Sequence, residues 1–213
     1  MSDLTLQQNK VTNLRIATVA FDCLTIQSGE LFSFFKTLGA PCPAKGYLLG
    51  YEIHDGKPTA SIGGGLCQVA NMLYWLAMRL NFEIVERHHH SVDLFPDDDR
   101  CVPFGLGATV FYNYLDLRFR NTHSKSVLIR LCVDPPFFKG AIYGMDGSLK
   151  ARKIYATNER FIRDKRGEIW RENTILASDD NGNGFGEANK LMQNRGRVMY
   201  ELRPDQNIEE ETS

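Results

Sequence analysis

A cysteine that follows three glycines and opens an amphipathic run is the residue of this chain best suited to chemistry. Gly63-Gly64-Gly65 end one segment with a backbone free to take positive φ. From Leu66 onward the apolar positions Val69, Leu73, Leu76, Ala77 and Leu80 recur at three and four. The spacing predicts a helix from Leu66 or Cys67 to Leu80, with Asn81 as its cap. Cys67 then falls in the first turn, where unpaired N–H groups and the helix dipole favour a thiolate. Its own N–H is placed to stabilise an oxyanion, and Gln68 adds a side-chain donor. The glycines at 63, 64 and 65 let a substrate carbonyl approach.

A thiol nucleophile needs a base. His90 follows one helix and one strand later in the chain. A helix of roughly fourteen residues at about 1.5 Å each is nearly retraced by a strand of six or seven at about 3.3 Å each. The chain is therefore expected to return beside the helix start. His88 shares the face of His90 in an extended segment, and His89 takes the other. Asp116, Asp93 and Asn113 are candidates to orient the imidazole. Arg87, His88 and Tyr114 are expected to line the substrate site with the glycines and Gln68.

Other readings fit the same residues. The glycines and Gln68 can form a nest for a carboxylate or peptide terminus, without catalysis. Cys67, His88, His90 and Asp93 carry borderline and soft ligand atoms suited to zinc or iron. Cys67 can equally be a packed core residue, and the histidine triplet a solvated loop. The run Asp179 to Gly186 has part of a calcium-loop pattern but lacks its terminal glutamate.

The elements that must hold these groups are legible in outline. Residues 6–24 repeat at helical spacing, predicting a helix that ends near Ile26. Leu31 to Phe35 is an apolar core segment. Tyr47 to Ile53 and Ala60 to Ile62 read as a hairpin turning at Asp55-Gly56. Phe82 to Arg87 alternates as a strand, Ala108 to Tyr112 and Leu115 to Phe119 as a hairpin, and Val127 to Val133 as a further strand. Residues 137–177 alternate through short strands, with turns at Asp146-Gly147 and Arg166-Gly167. The expected class is α+β: a central helix carrying the cysteine at its N-terminus, packed on a largely antiparallel sheet, with β-hairpins in the C-terminal third.

The bulk properties set outer limits. The chain has 213 residues, 43% hydrophobic and 24% charged, with a net charge of −1. That length holds a substantial core. The charge gives no field toward nucleic acid or anionic lipid. Its apolar runs fall short of the roughly twenty residues of a spanning helix. The polar N-terminus lacks the pattern of a signal peptide, so the expected location is the cytoplasm. Five cysteines at wide spacing without a C-x-x-C fit reduced thiols rather than a disulfide framework.

A set of short motifs then resembles one known family. Ser33-Phe34, Lys45-Gly46-Tyr47, the run from Gly63 to Gln68, Leu73-Tyr74, Val85-Glu86-Arg87, His90-Ser91, Pro103-Phe104-Gly105, Gly107-Ala108-Thr109 and Tyr114 to Leu117 with Asn121 are similar to the VanW family. That family is named for an accessory protein of vancomycin-resistance gene clusters. The resemblance runs from about Gln7 to Val133, and this chain looks like the shorter, leaderless type. It implies a VanW-like core with an N-terminal helix over 1–133; the strand pattern adds a β-rich C-terminal extension packed on that core over 134–205, and the acidic composition a disordered tail over 206–213. It favours His90 over His88, because the family keeps the histidine just before serine. Much of the family has aspartate where this chain has Gly107, which shifts the third role to Asp116. The resemblance names no reaction. The combined expectation is a cysteine-dependent amide hydrolase or acyl transferase, with Cys67 as nucleophile, His90 as base and Asp116 as orienting acid. Its substrate would be a peptide or amide small molecule, with a cell-wall precursor among the candidates. No cofactor, resident metal, nucleic acid or membrane is expected.

Overall fold

The protein is described by a computed structural model over residues 3–54, 57–96, 102–145, 147, 149–179 and 188–211. The expected Asp55-Gly56 turn, the Asp97 to Arg100 loop, Asp146 and the glycine-rich run at 180–186 lie outside those residues. The fold is α+β with antiparallel sheets. In chain order the elements are α1 (Asp3–Phe21), β1 (Thr25–Ile26), β2 (Leu31–Ser33), α2 (Phe34–Leu38), β3 (Leu49–His54), β4 (Lys57–Ile62), α3 (Leu66–Arg79), β5 (Glu83–Glu86), β6 (Val92–Asp93), β7 (Arg118–Arg120), β8 (Val127–Asp134), β9 (Phe137–Gly144), β10 (Lys153–Arg163), β11 (Ile169–Ser178), β12 (Asn189–Val198) and β13 (Ile208–Glu210). Among the described residues no helix is long and apolar enough to cross a membrane.

The chain divides into two compact units. The first comprises 1–88 and 107–150, the second 89–106 and 151–213. The boundary expected at 133–134 falls at the end of β8, which pairs along its whole length with β9 in the first unit. That unit holds three small antiparallel arrangements: β1-β8-β9, β2-β7-β5 and the hairpin β3-β4.

Helix α3 forms as its periodicity predicts. It buries Leu66, Val69, Ala70, Leu73, Tyr74, Ala77 and Met78 along one face. Full burial of a large apolar side chain stabilises by about 1.5–3 kcal/mol, so this stripe fixes the helix in place. Helix α1 ends earlier than its spacing suggests. Cys23 takes a positive φ of 61°, and its N–H is donated to the Ile129 carbonyl at 2.9 Å. Thr25 and Ile26 then pair with β8. Tertiary pairing by β-favouring residues thus outweighs a helical repeat at its frayed end. Phe21, Phe32, Phe34, Phe82 and Phe119 form a continuous aromatic core, all nearly or fully buried.

The second unit is a five-stranded sheet in the order β13-β10-β11-β12-β6. Its two edge pairings, β10 with β13 and β12 with β6, are parallel. The acidic tail expected to be disordered from 206 instead contributes β13, because Ile208 to Glu210 align with Phe161 to Arg163. The pairs Arg160–Glu209 and Arg163–Glu210 neutralise its charge. Residues 137–178 form long strands rather than several short ones, and the turn at Arg166-Gly167 is present, with Gly167 N–H donated to Asp164 O at 2.9 Å.

A buried ion pair secures the short strand β6. Arg171 and Asp93 are 1% and 2% exposed, and Arg171 Nη1 donates to Asp93 Oδ2 at 3.0 Å. Arg171 Nη2 reaches Glu159 at 2.7 Å, and the Tyr200 hydroxyl donates to Asp93 Oδ2 at 2.9 Å. The guanidinium lies near the rings of Phe104 and Phe161. Removing one partner of such a pair leaves the other charge buried and uncompensated, at a cost of about 3–5 kcal/mol. Asp93→Ala is therefore expected to destabilise the chain by about 3–5 kcal/mol in urea unfolding. Arg163→Ala, which loses only an exposed pair, should cost about 1 kcal/mol or less. Equal effects of the two would show that the buried pair carries no special weight.

Candidate functional site

The run Gly63-Gly64-Gly65 is built against protein on every side. Gly63 and Gly65 have φ of +81° and +109°. Gly64 lies so close to Gly50 of β3 that an added Cβ would stand 2.1 Å from the Gly50 carbonyl oxygen. A Cβ at Gly63 would meet Pro41 at 2.8 Å, and one at Gly65 would meet the Lys10 stem at 2.7 Å. Asn13, fully buried on α1, binds the same backbone. Its Nδ2 donates to Leu48 O at 2.9 Å and Gly64 O at 3.0 Å, and its Oδ1 accepts from Leu48 N–H at 2.9 Å. The N–H groups of Gly63, Gly64, Leu66 and Gln68 are donated to Leu48, Ser61, Gly63 and Gly65 carbonyls. Those donors, expected to face a ligand, are engaged within the fold.

Cys67 stands in the first turn of α3, after Gly65 as a left-handed N-cap without a side-chain capping bond. Its S–H is donated to the Val110 carbonyl at 3.7 Å. One helical turn on, Asn71 Oδ1 accepts the Ala108 N–H at 2.5 Å. A further turn on, the Tyr74 ring lies 4.9 Å beneath the Arg87 guanidinium, whose Nε donates to Gly107 O at 2.9 Å. Segment 107–110 thus runs antiparallel along the α3 face formed by 67, 71 and 74. Beyond Val110, a tight turn closed by Phe111 and Leu115 exposes Phe111, Tyr112 and Tyr114. Tyr114, 76% exposed, stacks on Phe111 at 5.3 Å.

The helix start does not make this thiol acidic. Burial pushes the Cys67 pKa up and outweighs the lowering by backbone hydrogen bonding at Val110 and at the residue itself and by Lys10, while Glu52 adds to the rise. The expected depression by the α3 N-terminus is therefore corrected: desolvation of the thiolate is the larger effect. The resting group is a neutral S–H.

The remaining expected site residues divide between the two units. Arg87, His88, Tyr114 and Asp116 lie with Cys67 in the first, and His90 lies in the second. His88 Nε2 pairs with Glu86 Oε1 at 3.1 Å. Burial pushes Glu86 up, but bonds from the Asp116 N–H, His88 and Arg118 hold its pKa below the usual value. Asp116 has a structural post. Its carboxylate accepts from Ser33 Oγ at 2.6 Å, Phe35 N–H at 3.1 Å and Leu117 N–H at 2.9 Å, and so holds the start of α2. The carbonyl of His90 accepts a hydrogen bond from His89 Nδ1 at 2.9 Å. Among the described residues, no three His, Cys, Asp or Glu side chains are grouped to hold a metal ion. Of the four residues in the metal reading, Asp93 is buried and bonded to Arg171.

Sequence reasoning missed Lys10, Asn13, Glu52 and Asn71. Asn71 sits at i+4 from Cys67, a signal open to inspection. Asn13 breaks the apolar stripe of α1 at a core position, the mark of a buried polar group with assigned partners.

Comparison with known proteins places these residues in a family. The profile of the family described as "VanW like protein" matches residues 9–143. The chain is 26% identical to the "Vancomycin B-type resistance protein VanW" of Enterococcus faecalis (strain ATCC 700802 / V583) over 213 residues, covering 98% of this chain and 76% of that protein. It is 32% identical to the "Uncharacterized protein YoaR" of Bacillus subtilis (strain 168) over 121 residues, covering 55% of this chain and 37% of that protein. No solved structure matches the chain at a significant level.

Two outcomes follow from this geometry. Gly64→Ala should cost about 3 kcal/mol or more, because the backbones must separate. Gly107→Ala, whose Cβ would have only Asn71 Oδ1 at 3.5 Å, should change stability by about 0.5 kcal/mol or less. Similar melting losses for both would contradict the close contact. For the thiol, a raised pKa means that the thiolate, the alkylating form, is scarce at neutral pH. Iodoacetamide labelling of Cys67 is expected to rise only above the ordinary thiol range of roughly pH 8.5. Labelling of Cys67 with a midpoint below that range would overturn the assignment.

Proposed function

The chain belongs to the VanW-like family, and we propose that it acts as a cysteine-dependent amide hydrolase or acyl transferase at Cys67. The observation that carries this reading is the position of the thiol. It sits on the first turn of α3, touching the Val110 carbonyl, one residue from the exposed aromatic turn at 111–114. A peptide or small amide lying along that turn would bring its carbonyl to Sγ.

In the proposed reaction, a general base, the role for which the sequence offers His90, accepts the Sγ proton, and the sulfur bonds to the carbonyl carbon. The C–N bond then breaks, and the leaving amine takes the proton back from that base. Water or an acceptor amine attacks the thioester, gives its proton to the base, and the departing sulfur recovers a proton as the thiol. Asp116 is assigned no step, because its carboxylate is engaged at the start of α2. The relative named for vancomycin resistance suggests glycopeptide susceptibility as the cellular readout.

The decisive experiment is mass spectrometry of the full chain after incubation with a panel of activated acyl and peptide thioesters. An acyl adduct at Cys67 is expected, absent in Cys67→Ala. The variant should also lose on the order of a thousandfold or more of any turnover found. If no adduct forms at Cys67 and Cys67→Ala retains full function in complementation, the chain is a binding protein whose aromatic turn carries the contact.

A further inference from the structure

The Cys67 site contains a charged pair that the reaction above does not use. Lys10 lies on α1, one turn before Asn13. The Asn13 bonds to Leu48 and Gly64 fix that helix against the glycine run. The Lys10 stem then fills the hollow left by the missing Cβ of Gly65, directly before the α3 start. Among the described residues, its ammonium makes no hydrogen bond or ion pair. Glu52 lies on β3, the strand whose Gly50 abuts Gly64 just before α3, and accepts a hydrogen bond from Ser61 Oγ across the β3-β4 hairpin. The start of α3 thus has a lysine of α1 packed at Gly65 and a carboxylate on the strand packed at Gly64, and both charges act on the Cys67 sulfur. The third segment packed against it, 107–110, offers the Val110 carbonyl and carries no titratable side chain.

We propose, on the reading that Cys67 is the reacting thiol, that Lys10 is the counter-charge of its thiolate and that Glu52 opposes it. Lys10 is a positioning residue: it does not touch substrate, but sets how readily the sulfur gives up its proton. The coupling is reciprocal, as linkage requires. Lys10 lowers the Cys67 pKa, and the thiolate raises that of Lys10, whose burial otherwise holds it below the usual lysine value. Glu52 acts in the opposite direction on the thiol. The acidity of the nucleophile is thus tuned inside the first unit by two residues of opposite sign on two different elements. The Sγ proton still leaves to the base, so the balance of the reaction is unchanged.

The test is the pH dependence of iodoacetamide labelling at Cys67 in the full chain, read by peptide mass spectrometry. Cys23 and Cys132, both exposed, serve as internal references. Lys10→Met keeps the packed stem and removes the charge. It should shift the Cys67 profile to higher pH, with labelling about three- to tenfold slower at a fixed mildly alkaline pH. Lys10→Arg should restore it, and Glu52→Gln should shift it to lower pH with faster labelling. Loss of packing would expose Cys67 and speed labelling, so slower labelling by Lys10→Met is not a sign of unfolding. An unchanged or faster profile in Lys10→Met, or one that Lys10→Arg leaves slow, overturns the proposal. The acyl-adduct experiment is independent. Opposite shifts without any adduct would keep the charge pair and remove the chemistry, while an adduct with an unmoved profile would do the reverse.

Discussion

The contact between Gly64 and Gly50 is the constraint on which the first unit is arranged. Two backbones meet so closely that even one methyl group is excluded at Gly64. The approach brings the end of the β3-β4 hairpin under α1, where the buried Asn13 amide binds both Leu48 and Gly64. Losing that amide would leave buried backbone groups without partners, at about 1–3 kcal/mol for each. Because α3 begins two residues later, its axis and its first turn inherit the geometry. The glycines thus serve the meeting of protein segments. Their N–H groups satisfy carbonyls of the same fold, which removes most of the donors that an anion nest would use.

The same packing decides the chemistry of Cys67. A helix N-terminus stabilises a negative charge by about 0.3–1 kcal/mol when exposed, which is less than one pKa unit's worth of about 1.4 kcal/mol. Packing by α1, the hairpin and segment 107–110 leaves Cys67 half-buried, and desolvation of its sulfur then dominates. A neutral thiol at rest is the result. Any increase in reactivity must come from groups already beside it or from a base brought to it, rather than from the helix alone.

The histidine-bearing segment is organised on a different principle. The chain leaves the first unit after His88 and re-enters at Gly107. The two ends are clamped there, by the bridge between His88 and Thr109 and by the bond from Arg87 to Gly107 O. The segment between them belongs to the C-terminal sheet. Val92-Asp93 pair with β12, Ser91 O accepts the Arg197 N–H at 3.2 Å, and Phe104 O accepts from the buried Asn173 and Asn194. A stretch that falls within the matched family region, 9–143, is therefore held by strands outside it. This accounts for the polar interior of that sheet: Arg171, Asp93, Asn173 and Asn194 fix a short segment whose two-residue strand offers little apolar surface of its own.

Legibility in the sequence follows the range of the forces involved. Helix α3 was readable because its burial stripe repeats every 3.6 residues and meets a glycine run at one end; the place of Cys67 on it came with the helix. The end of α1 and the strand in the acidic tail were not readable, because each is decided by pairing with a distant strand, β8 or β10. Asp116 illustrates a further limit. Its carboxyl looked like a catalytic third residue, yet three donors from Ser33, Phe35 and Leu117 surround it, and Phe35 and Leu117 contribute only backbone N–H groups. The Cys67 face follows the same rule. Residues 67, 71 and 74 have helical spacing, but the groups they or their neighbours bind are the Val110 carbonyl, the Ala108 N–H and the Gly107 carbonyl. Backbone groups carry no residue identity, so a site assembled from them shows only one of its two sides in the sequence.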